Sequence, residues 1–208
     1  MDLIQGDFFK DFRIIILVME MFSGLRVVSM KHSFAEFQKL FVVFWVFSFL
    51  GHYLEIIWAL LNFIVFGSQL WIPTTPTILP LAPPYGLGII AVIIFTYPLI
   101  KRHDFGPIEV FVLNVFICGV VEYLCASFLV QVVGYNQFWD YSNQPFNING
   151  YICLTNSLIF GFCVTIFIYY IYPFCHKAMN KLKIAQINNL FWLFFIAYGI
   201  DLIFMNFR

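Results

Sequence analysis

Of 208 residues, 62% are apolar, 21% aromatic and only 11% charged, with a mean hydropathy of +0.89. A water-soluble domain covers its surface with roughly one charged residue in four, so this composition excludes a soluble enzyme and points to a membrane protein. Eleven basic residues balance eleven acidic ones, which leaves no basic surface for nucleic acid and no acidic tail.

The amino terminus does not read as a cleaved signal. Asp2, Asp7 and Asp11 stand where a basic region belongs, and no A-x-A site follows Ile14–Val18. The next apolar run, Arg13–Val28, is interrupted by Glu20 and Arg26; it reads as a helix lying in the interface in preference to a sixth span. Residues 1–39 are therefore expected to form a cytoplasmic or interfacial segment, and residues 40–208 a single transmembrane domain.

A spanning helix needs about 20 mostly apolar residues. Five runs qualify: Leu40–Phe66, Tyr85–Ile100, Ile108–Val133, Tyr151–Phe174 and Leu190–Phe207. The second is short, so its helix should begin inside the Pro-rich stretch before it. The fold class is an all-α polytopic bundle of five spans, or six if Arg13–Val28 crosses. Basic residues near span ends collect on the cytoplasmic side, and here they alternate. Lys10, Arg13, Arg26, Lys31 and Lys39 precede the first span, Lys101 and Arg102 follow the second, and Lys177, Lys181 and Lys183 follow the fourth. The connections 67–84 and 134–150 contain no Lys or Arg and are expected outside, which places the N-terminus in the cytoplasm; Arg208 is the one basic residue on the wrong side. Together these features predict a multi-pass protein of the plasma membrane.

The two outer loops carry the unusual chemistry. Residues 67–84 hold Pro73, Pro76, Pro80, Pro83 and Pro84, which forbid helix across most of the segment and predict a stiff extended or re-entrant path. Residues 134–150 read GYNQFWDYSNQPFNING, a turn-rich loop with interfacial aromatics such as Tyr135, Trp139 and Tyr141.

Ionisable groups inside a span are costly and usually face a cavity or a partner. At about 1.5 Å per residue, Glu55 lies roughly 22 Å above Leu40, Glu122 roughly 21 Å above Ile108 and Asp201 roughly 20 Å above Asn188. All three thus reach a similar depth in the outer part of the membrane. His52 shares a helical face with Glu55. Asn156 and Ser157 descend to the same level from outside, and Tyr85 opens the second span there. These residues predict an outward-facing polar pocket walled by His52, Glu55, Tyr85, Glu122, Asn156 and Ser157. The loop residues Trp139, Asp140, Asn147 and Asn149 would roof it. Two other readings stand beside this one: carboxyls that only hydrogen-bond between helices, and a metal site from His52, Glu55 and Glu122, which lacks a further nitrogen or sulfur ligand. Asp201 can also be placed at the interface.

Cys118, Cys125, Cys153, Cys163 and Cys175 form no CxxC and read as small buried hydrophobes. No phosphate-binding glycine loop exists, so nucleotide hydrolysis would belong to another chain. Ser157 has no His–Asp partner visible in sequence. No cofactor is expected, and catalysis with Glu55 and Glu122 as acid and base is the least favoured function.

Several runs together carry a family resemblance. Phe138-Trp139-Asp140-Tyr141-Ser142, Pro145-Phe146-Asn147, Asn149-Gly150, Ile152-Cys153-Leu154, Ser157 and Gly161 resemble the signature of the ABC-transporter permease family of the CmpB type. Phe44-Trp45, Phe47 to Gly51 and Leu54-Glu55 are similar to its first helix, Pro84-Tyr85-Gly86 with Gly88 to the start of its second, and Glu122-Tyr123 to a Glu-Tyr pair in its third. The resemblance covers about Phe41 to Pro173 and adds Tyr123 to the candidate site. Tyr151 stands where the family usually has Arg, and His52 where it often has Trp. Either the carboxyls are protonated here or His52 takes over part of the missing counter-ion's role. The resemblance implies a transporter subunit in the lipid bilayer and no particular substrate; joined to the outward-facing pocket, it gives a transport-type subunit that binds a small polar solute, with a separate ATPase as a candidate partner. The alternative is a non-transporting partner that assembles with another membrane protein.

Overall fold

The computed structural model describes residues 34–67, 78–102, 105–134 and 139–205. Arg13–Val28, the prolines of segment 68–77 and Tyr135 lie outside them. The bundle belongs to the compact unit Gln38–Arg208.

Helices α1 (Phe34–Phe66), α2 (Pro83–Arg102) and α3 (Pro107–Val133) come first. A two-stranded antiparallel hairpin follows, β1 (Asn147–Ile148) and β2 (Ile152–Cys153). Helix α4 (Leu154–Ile166) continues through a π turn, Phe167–Ile171, into α5 (Tyr172–Met179), and α6 (Ile184–Met205) closes the described chain. Five helical stretches are long and apolar enough to cross a membrane, α4 to α5 counting as one. The fold is an all-α polytopic bundle, with 81% of the described residues helical. The limits differ from those expected in understandable ways. The second span begins at Pro83, where a proline at the first helical position gives up no hydrogen bond. The first and last start six residues earlier than hydropathy alone indicates, at Phe34 and Ile184, because amphipathic turns extend a helix past the apolar run.

Within lipid, helices gain nothing from burying apolar surface against each other and associate through close packing and interhelical hydrogen bonds. Small residues supply the packing. A side chain at Gly51 would overlap the Tyr85 ring, and one at Gly161 would overlap the backbone of Val115, so Gly51 seats Tyr85 between α1 and α2, and α3 meets α4 at backbone range. Hydrogen bonds supply the rest. Thr96 on α2 donates to Asn114 on α3 at 2.8 Å, Asn114 donates to Thr165 on α4 at 3.0 Å, and Thr165 donates to the Gly161 carbonyl at 2.6 Å. Thr96 and Asn114 are fully buried. Val92, Ile93, Val110, Ile117, Phe167 and Ile168 pack around this core.

Helix α6 is fastened to α1 by aromatic rings and one amide pair. Trp45 stacks on Phe194 at 4.2 Å, Phe41 meets Phe191 edge-on at 5.1 Å, and Gln38 donates to Asn188 at 2.8 Å. The π turn falls directly before Pro173, which has no N–H to offer the turn behind it. Tyr172 donates instead to Phe167, five residues back. Large apolar side chains such as Leu54, Trp58, Ile64, Leu124, Phe128 and Phe162 remain exposed on the bundle, the surface a bilayer requires.

Candidate functional site

The hairpin sits between α3 and α4 and is built by its own polar side chains. Asn149 and Gly150 both take positive φ, 55° and 70°, and Tyr151 donates to the Ile148 carbonyl at 3.0 Å. This is a type I′ turn, for which Asn-Gly is the favoured sequence. Asn147 donates to the carbonyls of Ser142 and Gln144 and accepts from the Gly150 N–H. Asp140 accepts from both the hydroxyl and the N–H of Ser142, which holds its carboxyl below the usual carboxylate range. Trp139 donates to the Tyr151 carbonyl at 2.8 Å. These residues, expected to roof a pocket, use the named polar groups to shape the loop.

Two contacts then fix the hairpin to α3. Asn149 donates to the Tyr123 hydroxyl at 2.9 Å. Tyr141 donates to Glu122 Oε1 at 3.0 Å and receives a hydrogen bond from Asn156 on α4. Burial, with the Glu122 carboxylate beside it, pushes the Tyr141 phenol above its ordinary range. Tyr141 is therefore a residue that links the loop, α3 and α4, yet in sequence it looks like one more interfacial aromatic. Its place inside the Asp-Tyr-Ser run was the available signal.

Beneath it the carboxyls converge. Tyr85 at the start of α2 hydrogen-bonds to Glu55 on α1 and also lies in the field of Glu122 on α3. The Tyr85 ring packs edge-on against Phe160 of α4 at 5.6 Å, and Gly51 makes room for it on α1. Glu122 is 6% exposed, and its second oxygen, Oε2, has no hydrogen-bond partner. Four helices and the hairpin thus contribute to one polar cluster of Glu55, Tyr85, Glu122, Tyr141 and Asn156.

Other expected members stand apart from these hydrogen bonds. His52 is buried, its ring edge-on to Tyr53 at 5.7 Å and its Nδ1 without a partner. Ser157 is buried opposite Gly119, where it serves α3–α4 packing. Asp201, which depth alone would place level with the two glutamates, instead accepts from the backbone N–H groups of Ile78 at 2.6 Å and Leu79 at 3.3 Å. It anchors the end of the Pro-rich segment, and Ala82 completes the attachment by donating to the Ser48 carbonyl of α1 at 2.8 Å. Of the cysteines, Cys118 and Cys153 are buried as expected, whereas Cys163 is exposed on the bundle surface; all five are free thiols. No group of three His, Cys, Asp or Glu side chains suited to a metal ion occurs among the described residues.

A family model described as Putative ABC-transporter type IV matches residues 42–205, which takes in both glutamates, the hairpin and nearly all of the bundle. No curated protein and no solved structure matches the chain.

Proposed function

Because the chain belongs to this ABC-transporter type IV family, of the CmpB type, we propose that it is a transport subunit of the plasma membrane that binds a small polar solute. The binding groups are Glu55, Tyr85, Glu122, Tyr141 and Asn156. One observation carries the reading: a half-buried carboxyl on α1, hydrogen-bonded to Tyr85, and a buried carboxyl on α3 whose field Tyr85 also feels lie under the hairpin, and one oxygen of the buried carboxyl is left unpaired. Polar groups that serve only to join helices are normally satisfied by one another. Lys101, Lys177, Lys181 and Lys183 lie at the span ends away from the hairpin, so by the charge rule the cluster opens outward. The chain carries no nucleotide-binding loop, and a separate ATPase would supply the energy.

The short connection between α5 and α6, residues 180–183, offers such an ATPase little surface. That observation favours the second reading, an assembly partner of another membrane protein. Affinity purification from native membranes separates the two. A co-purifying ATPase whose activity responds to solute supports transport, and a stoichiometric complex with an unrelated integral protein and no ATPase supports assembly.

A further inference from the structure

The donors and acceptors of the cluster do not balance, and the imbalance has a sign. Tyr141 already donates to Glu122 Oε1, Tyr85 to Glu55, and Asn156 to Tyr141. What remains among the cluster's own members is Glu122 Oε2, on a side chain that is 94% buried and held in place by its other oxygen; on α1, Trp45 Nε1, Ser48 Oγ and His52 Nδ1 are also without partners. A buried carboxyl oxygen without a partner is unfavourable, so an occupant of the site gains by bringing a donor, and a positively charged one gains more by holding the carboxyl ionised. Among the described residues no lysine lies beside it. The described lysines, Lys39, Lys101, Lys177, Lys181 and Lys183, each stand most of a span away from the cluster, and His52, whose Nδ1 is itself without a partner, makes none of the cluster's hydrogen bonds.

We infer that the cluster binds a small protonated amine, whose N–H groups donate to Glu122 and whose charge is shared with Glu55. The inference rests on the solute-binding reading above and adds the chemical class. An anionic solute would meet two carboxyls and, among the described residues, no lysine. A bare metal ion would want at least three strong ligands, a group absent among the described residues. The aromatic rings of Tyr85 and Phe160 add a surface whose π faces attract an ammonium.

The test uses the full chain in lipid nanodiscs and four probes: ethanolamine, ethylene glycol, glycolate and sodium chloride, at matched ionic strength, read by the thermal unfolding midpoint. A saturable rise with ethanolamine alone is expected. Glu122→Gln should weaken its Kd about tenfold or more, as the loss of a charge-assisted hydrogen bond does. Glu122→Asp, which withdraws the charge by one methylene, reads the same loss if Glu122→Gln fails to assemble. A response to ethylene glycol, glycolate or sodium but not to ethanolamine overturns the amine and leaves the solute site standing. Ethanolamine binding that neither Glu122 variant weakens also overturns it. No response to any probe overturns the amine and counts against the solute site as well.

Discussion

Two of the polar groups that join helices in this bundle are built in opposite ways. The chain Thr96–Asn114–Thr165–Gly161 is closed: the Asn114 oxygen accepts, its amide donates, and the last hydroxyl finds a backbone carbonyl. The cluster under the hairpin is open, because Glu122 keeps an unpaired oxygen while Tyr85, which lies in its field, hydrogen-bonds to Glu55. In lipid an interhelical hydrogen bond is worth about 0.6 kcal/mol on average, enough to register helices when every member is satisfied. An unpaired buried carboxylate works against stability. The first group accounts for all of its hydrogen bonds within the bundle, and the second leaves one acceptor over, on which the proposed binding role rests.

Substitutions can break that contrast. The largest effect is expected where geometry leaves no slack. Gly161→Leu drives a side chain into the Val115 backbone, and should exceed the usual cost of overpacking, about 1–3 kcal/mol, by separating α3 from α4; a detergent-solubilised variant that melts like the parent would refute the close approach. Asn114→Ala leaves both Thr96 and Thr165 without their shared partner. A loss of about 1–2 kcal/mol should appear in thermal unfolding with no change in any solute response.

Tyr141→Phe removes the bond from hairpin to Glu122 at a cost of about 0.5–1.5 kcal/mol at neutral pH. It also carries a pH signature. The folded phenol titrates above its ordinary value of 10.0, so its contribution is complete below that pH and is lost as pH rises beyond it. The parent should therefore lose stability on the alkaline limb more steeply than Tyr141→Phe; parallel limbs would mean that the phenol is not held as described. The smallest effect on stability belongs to Glu122→Gln, expected within about 0.5 kcal/mol of the parent or slightly above it, since a buried charge is removed and an acceptor for Tyr141 remains. A loss as large as that of Asn114→Ala would place Glu122 with the architecture and remove the basis of the comparison.

Much of this was legible in the linear chain. Five spans follow from apolar runs that only a bilayer accommodates, and the convergence of Glu55, Glu122, Tyr85 and Asn156 follows from counting rise along antiparallel helices. Rise alone does not tell which way a side chain points. Asp201 sits at the counted depth and turns to the backbone of Ile78 and Leu79, and Ser157 turns to Gly119. Asn114, an amide in the middle of a span, was a visible signal whose meaning depended on finding Thr96 and Thr165 on other helices.

Composition and hydropathy by themselves determined that this chain is a helical membrane protein, because backbone polar groups in lipid can be satisfied only within a helix or a closed barrel. The tertiary structure alone decided which polar residues are saturated and which are not. Hydrogen bonds such as Tyr141 to Glu122 join residues from separate elements, and no local periodicity encodes the fold of the hairpin that brings that hydroxyl down onto α3.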